Sequence, residues 1–180
     1  TGTTLYDVGD GVLNLEFHTK MNTMGAEVIE GINNSITIAE KNFKGIVIGN
    51  EGDNFSAGAN LGMLFMLAGN REFQEINLMI AAFQNTIMRV RFSSIPVVVA
   101  TSGLTLGGGC EISMHADVVR AHTETYMGLV EAGVGIIPSG AGTKEMTLRT
   151  SDMYRKGDPE LNILMENFMT IATAKVATSS

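Results

Sequence analysis

Short apolar runs of strand length alternate along this chain with longer stretches whose apolar residues recur at helical spacing, and glycine-rich turns separate the two. This alternation constrains the fold more than any other feature, because strands linked through helices lead to an α/β architecture. Val12 to Phe17 alternates apolar and polar residues, as a half-buried strand does. Met24, Val28, Ile32, Ile36 and Ala39 then follow helical spacing. Lys44 to Asn50 encloses a short apolar run and reads as a buried strand. A loop from Glu51 to Gly62 leads to a longer helix with Phe73, Ile76, Ile80, Phe83, Ile87 and Val90 on one face. Ile95 to Ala100 reads as another buried strand, followed by a short loop. Three glycines then open a helix from about Gly109 to His115. Asp117 to Ala121 and Tyr126 to Leu129 read as two further short strands. Asp158-Pro159 marks a last helix, with Asp as N-cap and Pro at the first helical position. Its apolar stripe is Leu161, Leu164, Met165, Phe168, Ile171 and Ala172.

A length of 180 residues fits one domain, or one domain with an appendage. The formal charge of −7 argues against a nucleic-acid surface, which needs clustered Lys and Arg. It leaves room for an anionic ligand, since backbone N–H groups bind anions without formal charge. The single cysteine, Cys110, excludes an intrachain disulfide framework and points to a reducing, cytoplasmic compartment. The longest apolar runs are too short to span a bilayer, and the opening residues show no signal-peptide pattern. The twelve methionines read as adaptable core filler. The last helix ends with nothing to close against. Either it packs on a partner subunit or more chain follows, and a fragment of a longer protein is the expectation.

Two glycine-rich segments each carry one glutamate. Leu106-Gly107-Gly108-Gly109-Cys110-Glu111 places bare backbone at a helix N-terminus, where unpaired N–H groups and the positive dipole end can meet an oxyanion. Glu111, in the first turn or two, fits either proton transfer or simple compensation of that dipole. Glu131 stands between Val130 and Ala132, before Gly133 to Pro138. Burial there would raise its pKa and suit it to general acid work; the alternative is a surface glutamate in a loop. Upstream, Asn54-Phe55-Ser56-Ala57-Gly58-Ala59-Asn60 forms a turn of small residues that lets a ligand lie against the backbone. There is no Walker pattern, no Gly-x-Gly-x-x-Gly after a strand and no Gly-x-Ser-x-Gly elbow. His18, His115 and His122 lack metal-ligand spacing and read as structural, so no metal is expected. Cys110 reads as core.

Together these segments resemble the crotonase (enoyl-CoA hydratase/isomerase) superfamily. The matching pieces run from Gly52 to Leu61, Ile95 to Ala100, Leu106 to Met114 and Gly128 to Thr143, in family order and spacing. Val12 to Met24 resembles the first strand and the entry to the first helix. The resemblance covers residues 5–150. It implies a repeated ββα spiral fold with helices on the outside, an acyl-CoA thioester as partner, coenzyme A only as part of the substrate, and usually a trimer. By position, the N–H groups of Ala59 and Gly108 would form an oxyanion hole for the thioester carbonyl. Glu111 and Glu131 occupy the places of the two acid/base glutamates of family hydratases, with their individual roles open. Backbone around Lys20, Met21 and Asn22, and from Ala57 and Gly58 through Asn60 to Leu61, would hold the CoA adenine end. Asn60 stands where the family commonly has Asp, and Ser139-Gly140-Ala141-Gly142 departs from its usual glycine pattern.

The resemblance thus divides the chain into an acyl-CoA domain over 1–150 and a C-terminal helix over 151–180. It suggests the hydratase portion of a larger fatty-acid oxidation protein, such as a fusion to an NAD-dependent 3-hydroxyacyl-CoA dehydrogenase. The leading expectation is an enoyl-CoA hydratase of β-oxidation. The rivals are a 3,2-enoyl-CoA isomerase and a truncated acyl-CoA-binding module.

Overall fold

The structure, a computed structural model, describes residues 2–178. It is an α/β fold in chain order β1 (Thr3–Gly9), β2 (Val12–Phe17), a 3-10 turn (Lys20–Asn22), α1 (Ala26–Asn42), β3 (Gly45–Gly49), α2 (Leu61–Gly69) and α3 (Phe73–Arg91). It continues with β4 (Val97–Leu106), α4 (Gly108–His115), β5 (Val118–Gly128), a second 3-10 turn (Glu131–Val134), α5 (Gly142–Met153) and α6 (Glu160–Ala172). The strands form one sheet in the order β1-β2-β3-β4-β5. β1 and β2 are an antiparallel hairpin; every later pairing is parallel. Parallel neighbours need crossovers, and α1, α2 with α3, and α4 supply them in turn.

Alternation decides which sheet face is covered. Leu13, Leu15 and Phe17 of β2, Ile46 and Ile48 of β3, and Val97 and Val99 of β4 point one way. They meet Val28, Ile32, Ile36 and Ala39 of α1 and Ile87 and Val90 of α3, and all of these are buried in one cluster. Val47, Val98 and Ala100 point the other way and are only half-buried. The two runs read as buried strands are therefore covered fully on one face.

Several expectations are corrected. The loop after β3 is shorter than expected, because α2 begins at Leu61, capped by Asn60, whose side chain accepts from the Met63 N–H at 3.2 Å. No loop separates the Ile95 to Ala100 run from the glycines: β4 continues to Leu106. The two short strands after α4 are one strand, β5, paired along β4 with a register shift between Thr101 and Gly103. The cap of α6 is Pro159 rather than Asp158. Asp158 instead accepts from the Arg155 N–H at 2.8 Å, closing the preceding turn. Of the methionines, Met24 lies in the core, but Met21, Met63, Met66, Met153, Met165 and Met169 are exposed. Most of these sit on helix faces that nothing covers. The stripe on α6 is likewise open, with Leu161, Leu164, Met165 and Phe168 exposed. Beyond α6, Ala177 bridges Met127 of β5. Among the described residues, no helix is long and apolar enough to cross a membrane.

Candidate active site

The site forms where β4 ends. Gly107 caps α4 with φ 53° and ψ −120°, a conformation that suits glycine, and its N–H donates to the Gly128 carbonyl at 2.9 Å. Gly108 opens the helix, so its N–H has no intrahelical acceptor. The segment before α2 is stitched alongside. Ser56 donates its N–H to Leu104 and accepts from the Leu106 N–H, both at 2.9 Å, and Met24 donates to the Gly58 carbonyl at 2.8 Å. Gly58 has φ 88°, and a Cβ there would stand 2.9 Å from the Leu106 carbonyl and 3.4 Å from the Gly108 nitrogen. Ala59, next in the chain, is exposed. The structure therefore brings the Gly58–Ala59 turn against the Gly107–Gly108 peptide.

Both glutamates reach this place. Glu111 is 2% exposed, and its Oε1 accepts from the Gly142 N–H at 2.8 Å. Its carboxyl is pushed up to about 7, first by burial and further by the charge of Glu131; the N–H groups of Gly142 and Gly140 pull the other way. Glu131 starts its 3-10 turn directly over α4. A Cβ on Gly107 would stand 3.1 Å from Glu131 Oε1. Burial raises the Glu131 carboxyl too, and its Oε2 is buried without a hydrogen-bond partner. Cys110, directly before Glu111, is buried with its thiol pushed up to about 12 by desolvation and the two carboxyls, which disfavours the reactive thiolate.

The residues expected around a CoA moiety also converge. Met21 and Asn22 adopt φ 57° and φ 51° in the first 3-10 turn. Ala57 donates its N–H to the Met21 carbonyl at 3.1 Å, and the Asn22 amide donates to the Asn54 carbonyl at 2.9 Å. Lys20 is exposed beside them, and Leu61 begins α2 behind the Asn60 cap. Among the described residues, no group of three or more His, Cys, Asp or Glu is placed to hold a metal ion.

Sequence reasoning missed the contacts of four residues here. Gly142, 31 residues on, supplies its amide to Glu111, and Gly140 adds a second. The Phe83 ring of α3 packs on Gly108 and Gly140, so a Cβ on Gly108 would stand 3.0 Å from its tip. Glu145, 3% exposed on α5, pairs with Arg91 and Arg149. Glu145 and Arg149 at i, i+4 were a readable helix signal; the pairing with α3 was not.

Comparison with known proteins bears on the family and the fold. Residues 7–153 match the family described as enoyl-CoA hydratase/isomerase, and the chain belongs to that family. Over 180 residues it is 45% identical to a Bacillus subtilis (strain 168) protein named "Probable 3-hydroxyacyl-CoA dehydrogenase", covering 100% of this chain and 22% of that one. It shares its fold with an enoyl-CoA hydratase from Polaromonas sp. JS666, with TM-score 0.83 and 24% identity over 98% of this chain and 65% of the other. An enoyl-CoA hydratase from Bacillus anthracis superposes with TM-score 0.81 at 22% identity, over 99% and 65% of the two chains. This chain thus spans about a fifth of the curated relative and slightly less than two thirds of those hydratases.

Proposed function

We propose that this chain is an enoyl-CoA hydratase unit that adds water across the double bond of 2-enoyl-CoA thioesters in fatty-acid oxidation. One observation carries the reading. Glu111, buried and bound by the Gly142 N–H, shares the α4 N-terminus with a second carboxyl, the half-buried Glu131, whose Oε2 is buried. Burial raises both carboxyls, and the charge of Glu131 raises Glu111 further, to about 7, which suits Glu111 to hold or release a proton near neutral pH. An ionised member takes a proton from water as the oxygen bonds to C3; a protonated member delivers its proton to C2. The N–H groups of Ala59 and Gly108 receive the thioester oxygen as negative charge develops, an effect worth about 3 kcal/mol per donor. The turns at Lys20 to Asn22 and Ala57 to Leu61 hold the CoA end through backbone, and coenzyme A enters only with the substrate.

Two acid/base groups favour hydration over a double-bond shift, for which a single carboxyl suffices. The name of the Bacillus subtilis relative supports a place within a larger chain that also carries 3-hydroxyacyl-CoA dehydrogenase activity. Self-association and a cytoplasmic setting belong to the same proposal; the free thiol of Cys110 fits the latter. The test is hydration of crotonyl-CoA, followed by loss of the conjugated thioester absorbance, on the parent and on Glu111→Gln and Glu131→Gln. Activity in the parent and its loss in both variants is the expected result. Near-normal activity in both variants overturns the site. Binding of CoA esters with no turnover in the parent favours the binding-module reading instead.

A further inference from the structure

Behind Glu111 lies a polar network, centred on the buried Glu145 and His115, that hydration does not use. Glu145 is the residue that closes the first turn of α5, donating its N–H to the Ala141 carbonyl at 2.9 Å. One carboxylate oxygen accepts from Arg91 of α3. The other accepts from Arg149 Nε at 2.9 Å. Arg149 also donates to the Met114 carbonyl at 2.6 Å, in the last turn of α4. His115, 3% exposed, completes the cluster. Its Nδ1 lies 2.7 Å from the Glu111 backbone carbonyl, which can only accept, so that nitrogen carries the proton. Its Nε2 has no hydrogen-bond partner and faces Glu145 Oε2 at 3.6 Å.

The same stretch is gripped from α3 at its other end. Gln84 donates to the Ser139 carbonyl at 2.6 Å, and Phe83 packs on Gly140. Between these two anchors lie Gly140 and Gly142, whose amides meet the Glu111 carboxylate. Ion pairs whose arginines stay partly exposed contribute little net stability, because solvent screens the attraction. What they do supply is a defined geometry. We propose that Glu145 is a positioning residue for the acid/base step: by tying α5 to α3 and α4, it holds the Gly142 N–H on Glu111 and so fixes the Glu111 carboxylate in place.

This inference rests on the hydratase reading, so its test includes a readout that does not depend on turnover. Glu145→Gln keeps the size of the side chain but weakens its hold on both arginines. In the folded variant, hydrogen exchange of the peptide containing Gly142 should quicken by about tenfold or more while α1 and the sheet stay protected. For crotonyl-CoA hydration, kcat should fall about tenfold to a hundredfold, as small misplacements of catalytic groups do. KM should stay within about twofold, since no binding contact is lost. Glu145→Asp, which restores the charge, should recover part of the loss. Should Glu145→Gln fail to fold, Arg91→Lys carries the same measurements, keeping the charge but losing the guanidinium fork. Unchanged kcat and unchanged Gly142 exchange in a folded variant overturn the proposal. So does a fall in kcat no larger than the loss of folded protein. Faster Gly142 exchange with no hydration even in the parent leaves Glu145 in its positioning role and overturns the hydratase reading alone.

Discussion

The α4–α5 wall of the site presents carboxyl side chains set against other elements. Glu111 is 2% exposed and is met by amides from α5; Glu131 lies over Gly107; Glu145 ties α5 to α3. The facing wall, from Ala57 to Leu61, presents backbone. Ala59 and Asn60 are exposed, and the Asn60 side chain is spent on starting α2. On the first wall residue identity is decisive, because burial converts an ordinary carboxyl into one that can hold a proton at neutral pH. On the second wall shape is decisive, and the side chains can vary if the turn survives.

The largest effect should come from removing a carboxyl on the first wall. Glu111→Gln and Glu131→Gln should each lower the hydration rate by about 10² to 10⁴, the usual worth of a general acid or base. Glu111→Gln should also change the pH dependence of stability. A carboxyl raised to about 7 by burial favours the fold below its ordinary value of 4.5, and that contribution is lost as pH rises through 7. Thermal melts should therefore show the variant more stable than the parent above pH 7, with the two converging below pH 4.5. A variant that is less stable at every pH would contradict the burial of Glu111.

Shape on the second wall is tested by Gly58→Ala. Its φ of 88° and the Leu106 carbonyl 2.9 Å from the new Cβ should together cost about 2 kcal/mol, read by denaturant unfolding. A change within experimental error would mean that this turn is free to relax. A smaller loss, about 1 kcal/mol, is expected for Asn60→Ala through the missing cap, with kcat and KM unchanged and Asn60→Asp neutral. Weakened binding of crotonyl-CoA in Asn60→Ala would break the contrast between the walls, since a side chain would then touch the ligand. The smallest effect belongs to Ala141→Gly. Ala141 holds φ 99° where glycine is favoured, so the substitution should raise stability by less than about 1 kcal/mol and leave hydration unchanged. Reduced activity there would show that a stiff residue before Gly142 helps to hold the α5 amides in place.

Elements were legible where one face repeats cleanly. Val12 to Phe17 is β2 from end to end, and Val28, Ile32, Ile36 and Ala39 are the fully buried stripe of α1. Other elements lacked such a contrast. β1 has mostly exposed residues and gains its place by pairing with β2. α2 is apolar almost all round yet largely exposed, so it shows no periodicity to read. α5 is rich in polar residues, and its order comes from Glu145 and Thr150 buried against neighbours. The long β4 and β5 looked shorter because their outer halves carry polar residues, and the bulge at Thr101 to Gly103 bends the pair.

The sequence alone determined the alternation that makes this an α/β fold, the glycines that let backbone approach backbone at the end of β4, and the presence of both Glu111 and Glu131 within a family pattern. It could not determine that one carboxyl would be bound by an amide 31 residues away, or that Asn60 would spend its side chain on a helix cap. Those outcomes depend on which groups exclude water from which others. The upward shift of Glu111 arises from desolvation and is opposed by the N–H groups of Gly140 and Gly142, set in place by α3 and α5. Such contacts join residues far apart in the chain, and only the packed tertiary structure brings them together.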